Sequence, residues 1–212
     1  MIFKKNKAES AIATDLAALR AMSVVVAGET TRRSTKGLIM ILGMSTSMFT
    51  LVHVVLSLVG IFAGLVVLFG MLGSRRLDGW TGLFLATTVA TSVTGFFFPR
   101  DHILPAHIVG VISLIVLAVA ILARYGYRLA GPWRWVYVVA AVLALYLNVF
   151  VAVVQAFQKL PFLAPLAPTQ SEPPFVVAQV VMLAAFIVLG VFAIRSFRPP
   201  TDSPVLRRLD RA

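Results

Sequence analysis

Five stretches of the chain hold no Asp, Glu, Lys or Arg: Gly37–Gly73, Gly79–Pro99, Ile103–Ala123, Trp135–Gln158 and Phe175–Ile194. A helix needs about 20 apolar residues, at roughly 1.5 Å each, to cross the hydrocarbon core of a bilayer. Each stretch is long enough. The pattern predicts an all-α integral membrane bundle of five transmembrane helices, with spans at about 48–73, 79–99, 103–123, 135–158 and 175–194. Five such runs in one soluble chain would leave water almost nothing to wet. The first run is too long for one crossing, yet two crossings and a turn need more than about 40 residues. One helix ending near Gly73 is expected, with its outer boundary near His53 when about 20 residues are counted back.

The connections are short. Ser74 to Asp78 joins the first two spans, and Arg100-Asp101-His102 joins the second and third. The long connection, Lys159 to Pro174, contains Pro161, Pro165, Pro168, Pro173 and Pro174. Proline fixes φ and removes a donor, which predicts an extended, stiff cap on one membrane face. The organisation expected is therefore an N-terminal basic arm over 1–36, a transmembrane domain over 37–198 and a basic tail over 199–212.

Charge changes the picture by setting direction. The face holding the loops after spans one and three and the C-terminus carries Arg75, Arg76, Arg124, Arg128, Arg134, Arg195, Arg198, Arg207, Arg208 and Arg211. The opposite loops hold Arg100 and Lys159. Basic residues stay in the cytoplasm, so the arginine-rich face and the C-terminus are expected there. Trp80, Trp133 and Trp135, with Tyr125, Tyr127 and Tyr137, fall at the same boundary, as an interfacial belt would. The formal net charge of +11 does not point to nucleic acid, because no basic stripe interleaves with aromatics. The arm disagrees with the rest. Lys4, Lys5, Lys7, Arg20, Arg32, Arg33 and Lys36 would lie outside. Two readings resolve this: a surface helix with Ile12, Leu16, Leu19 and Val26 on its apolar side, or a reading frame extended beyond a start at Met40, Met44 or Met48. Self-consistency of the chain from Met44 onward favours the second. A cleavable signal peptide is not expected, since no sufficient apolar core follows Lys4–Lys7.

Helices in lipid gain nothing hydrophobic by associating, so small and polar residues mark their inward faces. Span one places Thr46, Thr50, His53, Ser57, Gly60 and Gly64 on one face, at alternating steps of four and three. Thr87, Thr91 and Thr94 line span two, where hydroxyls commonly bond back to their own helix. His107 opens span three, Asn148 and Gln155 lie on one side of span four, and Gln179 falls in the first turns of span five. By residue count, His53, Thr94, His107, Asn148, Gln155 and Gln179 share the outer half of the bundle. With Tyr146, they form the candidate ligand-binding set, expected to face a small cavity beneath the proline-rich cap.

Candidate chemistry is thin. With no cysteine, disulfides, thiolate metal sites and cysteine nucleophiles are excluded. No carboxylate lies within a span, so intramembrane proton relays lack their usual group. Ser57 sits one turn from His53 but has no carboxylate to orient a triad. No cofactor and no metal are expected. The alternative is a redox protein with b-type haem between His53 and His107, or quinone in the outer polar cluster. The runs Pro105–Gly110, Leu145–Phe150 and Ala167–Phe175 resemble those of small polytopic bacterial inner-membrane proteins with no named activity. That resemblance implies a bacterial plasma membrane and no particular reaction. The expected function is structural, accessory-subunit or small apolar ligand-binding. The bilayer is the expected partner, with a membrane protein or a second copy meeting the Gly60/Gly64 face, and no nucleic acid.

Overall fold

The computed structural model describes residues 40–41, 43–98 and 105–198. The arm over 1–36 and the tail over 199–212 lie outside them, as do Pro99 to Leu104. The chain divides into two compact units, Met1–Leu51 and Val52–Ala212. In the first, β1 (Met40–Ile41) pairs antiparallel with β2 (Met44–Ser45), Met40 opposite Ser45, around Gly43 at φ 80°. There too Thr50 donates its hydroxyl to the Thr46 carbonyl, 2.7 Å away.

Apart from that hairpin, the regular structure of the described residues is helical. The α-helices are α1 (Thr46–Leu72), α2 (Asp78–Gly95), α3 (Pro105–Ile121), α4 (Trp133–Lys159) and α5 (Pro173–Ser196). Among the described residues, four helical stretches are long and apolar enough to cross a membrane: Thr46–Leu72, His107–Gly126, Trp133–Lys159 and Pro173–Ser196. α2 falls outside that set because Asp78, Ser92 and threonines 81, 87, 88, 91 and 94 dilute its apolar residues.

Local chemistry sets the ends. α1 stops where Ser74 takes φ 56°, with the Ser74 N–H bonded to the Met71 carbonyl at 3.0 Å and the Arg75 N–H to Gly70 at 2.8 Å. Asp78 opens α2, where a carboxylate suits the positive helix end. The sequence predicts that this helix runs to Pro99, but it stops at Gly95 and closes with i+3 bonds from Phe96 to Val93 and Phe97 to Thr94. Glycine is a poor helix residue, and the residue before a proline avoids helical backbone; Phe98 is that residue. Prolines sit at the first positions of α3 and α5, where their missing N–H costs nothing. α3 continues into a π-helical turn over Leu122–Gly126.

The segment after Lys159 is not the extended cap expected from its prolines. Leu160 accepts bonds from Leu163 and Ala164, a 3-10 turn spans Ala164–Leu166, and the Gln170 N–H returns to Ala167 at 3.3 Å. Proline's φ suits a turn as well as an extended chain, and turns satisfy the carbonyls that an extended run would leave to solvent.

In the second unit α4 is the central helix, packing on α3 and α5. Its buried residues include Tyr137, Val138, Ala144 and Leu145. α1 reaches it through Gly64, where an added Cβ would meet Leu145 Cδ1 at 2.6 Å and Phe84 of α2 at 2.9 Å. Tyr137, expected in an interfacial belt, is instead 1% exposed. The outward faces remain apolar: Leu58 and Phe62 on α1, Ile108 and Ile115 on α3, and Val177, Val181 and Ile187 on α5 are all exposed.

Candidate functional site: a polar seam between three helices

The inward face of α1 forms one edge of a seam against α2 and α4. His53, Ser57, Gly60 and Gly64 follow one another along it, each against a defined partner. His53 Nδ1 lies 2.8 Å from Thr94 Oγ1. Thr94 has a single hydroxyl proton, donated to the Ala90 carbonyl at 2.7 Å. With that proton on its own helix, the Thr94 oxygen is open to the Nδ1–H tautomer of His53. The ring also meets Phe98 edge-on at 5.2 Å, and its Cε1 lies 3.8 Å from where Gly95 would carry a Cβ.

One turn further along, Ser57 donates to Asn148 Oδ1 at 3.0 Å. Asn148 is 8% exposed, and its Nδ2 is buried with no acceptor among the described residues. The next position, Gly60, has no side chain, and three polar atoms converge on the space a Cβ would fill. Thr87 Oγ1 and Thr88 Oγ1 are each 3.1 Å from it, and Asn148 Nδ2 is 3.2 Å away. Thr87 bonds back to the Leu83 carbonyl at 2.7 Å, as serines and threonines within helices often do. Thr88 and Thr91 do not: their hydroxyls are buried without a partner among the described residues. The seam therefore contains satisfied pairs and, beside them, one amide N–H group and two hydroxyls with bonding capacity left.

The other candidates take different places. His107, on α3, lies against the Phe96 ring at 5.7 Å, and that ring also covers Gly110, whose added Cβ would meet it at 3.0 Å. The two histidines thus reach the same end of α2 from different helices, His53 at Phe98 and His107 at Phe96. Gln179 donates from Nε2 to the Phe150 carbonyl at 3.4 Å, joining α5 to α4. Tyr146 packs among Phe150 and Phe186 at 6.1 and 5.7 Å, toward α5. Gln155 is half-buried on α4, and no hydrogen bond among the described residues joins it to the seam. His53, Thr94 and Asn148 thus lie in one seam, with His107 at its α2 end, while Gln179 and Tyr146 belong to the α4–α5 contact. Ser57, Thr87, Thr88 and Gly60 are members that the candidate set omitted. The α1 periodicity that pointed to His53 also contained Ser57 and Gly60.

A second buried polar group lies at the arginine-rich end. The π-helical turn carries Arg124 into the bundle, where its side chain is 3% exposed and pairs with Asp78. Its guanidinium lies over the Tyr137 ring at 5.3 Å and near Tyr125 at 5.9 Å, distances at which a cation is drawn to an aromatic face. Among the described residues, no group of three or more His, Asp or Glu side chains is arranged to hold a metal ion.

No protein-family model, curated protein or solved structure matches this chain.

Proposed function

We propose that the chain is a multi-pass protein of a bacterial plasma membrane, with all five helices crossing the bilayer and the C-terminus in the cytoplasm. Its role is that of a structural or accessory membrane subunit. The observation that carries this reading is the apolar belt on the outward helix faces. Leu58 is 58% exposed, Ile115 59% and Val181 59%, whereas soluble monomers rarely present contiguous apolar patches beyond a few hundred Å². α2 crosses despite its threonines: Thr87 and Thr94 return their hydroxyls to their own helix, and Thr88 and Thr91 keep theirs buried inside the bundle. Arginines at positions 75, 76, 124, 128, 134, 195 and 198 support the orientation. Most polar candidates tie one helix to another, as His53 does to Thr94 and Gln179 to the Phe150 carbonyl, which favours a bundle held in register over a catalytic centre. In cells, the protein should stay with membranes through alkaline carbonate washing. Alkaline phosphatase fused after Arg198 should be inactive, while a cytoplasmic reporter at the same point is active. Release by carbonate rejects the membrane reading, and an active phosphatase fusion rejects the orientation.

A second reading is favoured by the open atoms beside Gly60. Asn148 Nδ2 with the Thr88 hydroxyl would receive a hydrogen-bond acceptor, such as the carbonyl of a membrane-dissolved molecule, quinones included. A compound extracted by solvent from the purified wild type, and missing from a folded Asn148→Leu variant, would support it. Identical extracts from the two proteins would dismiss it.

A further inference from the structure

At the arginine-rich end, hydrogen bonds bring together three chain segments that each carry an arginine. Ser74, in its left-handed conformation, accepts the Arg198 N–H on its hydroxyl at 2.9 Å. Arg134, in the first turn of α4, donates from its guanidinium to the carbonyl of Phe197. Phe197 is 2% exposed and lies 6.2 Å from the Tyr137 ring, so the end of α5 is fixed in the bundle. Arg75 follows Ser74 directly, with its own N–H held by Gly70 at 2.8 Å. Arg75, Arg134 and Arg198 are thereby gathered by the closed end of α1, the start of α4 and the end of α5. Arg75 and Arg198 are exposed and Arg134 is half-buried.

Among the described residues, charge at this end is not balanced. Asp78 is the one carboxylate that the described residues place here, and it is engaged by Arg124 and lies 3.8 Å from Arg76. Among the described residues, no ion pair reaches Arg75, Arg134 or Arg198. α4 begins at Trp133, so its positive end adds to the same region. Trp135 beside it is 49% exposed, and tryptophan settles at headgroup depth.

We propose that Arg75, Arg134 and Arg198 form a site for the phosphate of an anionic phospholipid in the cytoplasmic leaflet. This rests on the membrane reading above and adds a discrete binding site to it. Guanidinium forks match phosphate oxygens two at a time, and the segments that carry them are fixed before any lipid arrives, so little ordering opposes binding.

The test uses the full chain in a mild non-ionic detergent, offered phosphatidylglycerol or phosphatidylcholine, with retained lipid read by native mass spectrometry. Phosphatidylglycerol should be retained preferentially. Arg75→Gln and Arg198→Gln should each cut that preference about fivefold, the size of one basic residue's attraction to an anionic surface. Arg128→Gln, which removes an equal charge from the loop before α4, should leave it largely intact. Equal losses from all three variants would mean diffuse attraction and overturn the site, as would an absent preference. Competition by millimolar inorganic phosphate, without preference between the lipids, would assign the site to a free anion and also overturn it. Failure of the membrane reading appears separately, as protein that stays soluble without detergent.

Discussion

Two glycines on the same face of α1 differ in what surrounds them, and this sets the cost of a single methyl group. At Gly64 an added Cβ would fall 2.6 Å from Leu145 Cδ1 and 2.9 Å from the Phe84 ring, and both neighbours are 1% exposed and enclosed. At Gly60 the nearest atoms are the Thr87 and Thr88 hydroxyls and the Asn148 amide, at 3.1 to 3.2 Å. Those polar tips need to yield only a few tenths of an ångström. At Gly79 nothing lies within 4 Å. Alanine gains up to about 1 kcal/mol over glycine inside a helix, while overpacking costs roughly 1–3 kcal/mol. Gly79→Ala should therefore be neutral or slightly stabilising, Gly60→Ala close to balanced, and Gly64→Ala clearly destabilising. Thermal unfolding in detergent ranks them, and a Gly64→Ala protein as stable as wild type would refute the close approach of α1 to α4. The spacing of His53, Ser57, Gly60 and Gly64 made this face legible in the sequence. It did not reveal what each residue meets, because partners such as Thr88 and Asn148 are about 30 and 90 positions away and their register depends on packing rather than on local pattern.

Elements were most legible where one force dominated. Long apolar runs located the helices, while their ends depended on details that run length does not contain. α2 gives way after Gly95 under the combined effect of a glycine and an approaching proline. α3 overruns its apolar stretch through the π-helical turn, which carries Arg124 inward to Asp78 and Tyr137. A reading that treats loop arginines only as topology signals cannot foresee that burial; the nearest signal was Asp78, an isolated acid among the arginines of this face. The turn that leads into α5 is likewise organised by one side chain. Glu172 accepts from the Thr169 N–H at 3.0 Å, the Thr169 hydroxyl at 2.8 Å and the Ser171 N–H at 3.1 Å. Desolvation pushes its carboxyl up, and these hydrogen bonds outweigh that, holding it below its ordinary 4.5. A carboxyl depressed in the folded state contributes ordering that is complete above the unfolded value and is lost as pH falls through the folded one. The Thr169 amide signal, followed by NMR in detergent, should titrate with a midpoint below 4.5, and Glu172→Gln should flatten the curve. A wild-type midpoint at or above the ordinary value would show that the carboxylate does not organise the turn.

For the whole molecule, the balance between inward and outward surface decides what environment the fold requires. α4 buries a long run of its residues, whereas α5 fully buries Phe186 and Ala193, packs Met182, Leu189 and Ile194 partly against the core, and leaves Val177, Val181, Ile187 and Phe192 exposed. Contacts that hold α5 are spread along α4: Phe175 against Phe157 at 5.5 Å, Gln179 on the Phe150 carbonyl, Phe186 against Tyr146, and Gly190 where an added Cβ would meet Val142 at 3.3 Å. A helix attached along one edge while showing valine and isoleucine elsewhere is stable where the surroundings are themselves apolar. The sequence contains no cysteine, so single cysteines can map that environment without background. Cysteine at Leu58, Ile115 or Val181 should resist a water-soluble maleimide in intact membranes and react once the protein is unfolded in detergent. Replacements at Arg195 and Ser171, near opposite ends of α5, should label from opposite sides of the membrane, with the Arg195 position reached only from the cytoplasm. Ready labelling of the three belt positions in native membranes would place those faces in water or in a hydrated partner interface. Labelling of both α5 ends from one side would mean that α5 does not cross, because a 24-residue helix at about 1.5 Å per residue reaches the far surface only if it runs through the bilayer.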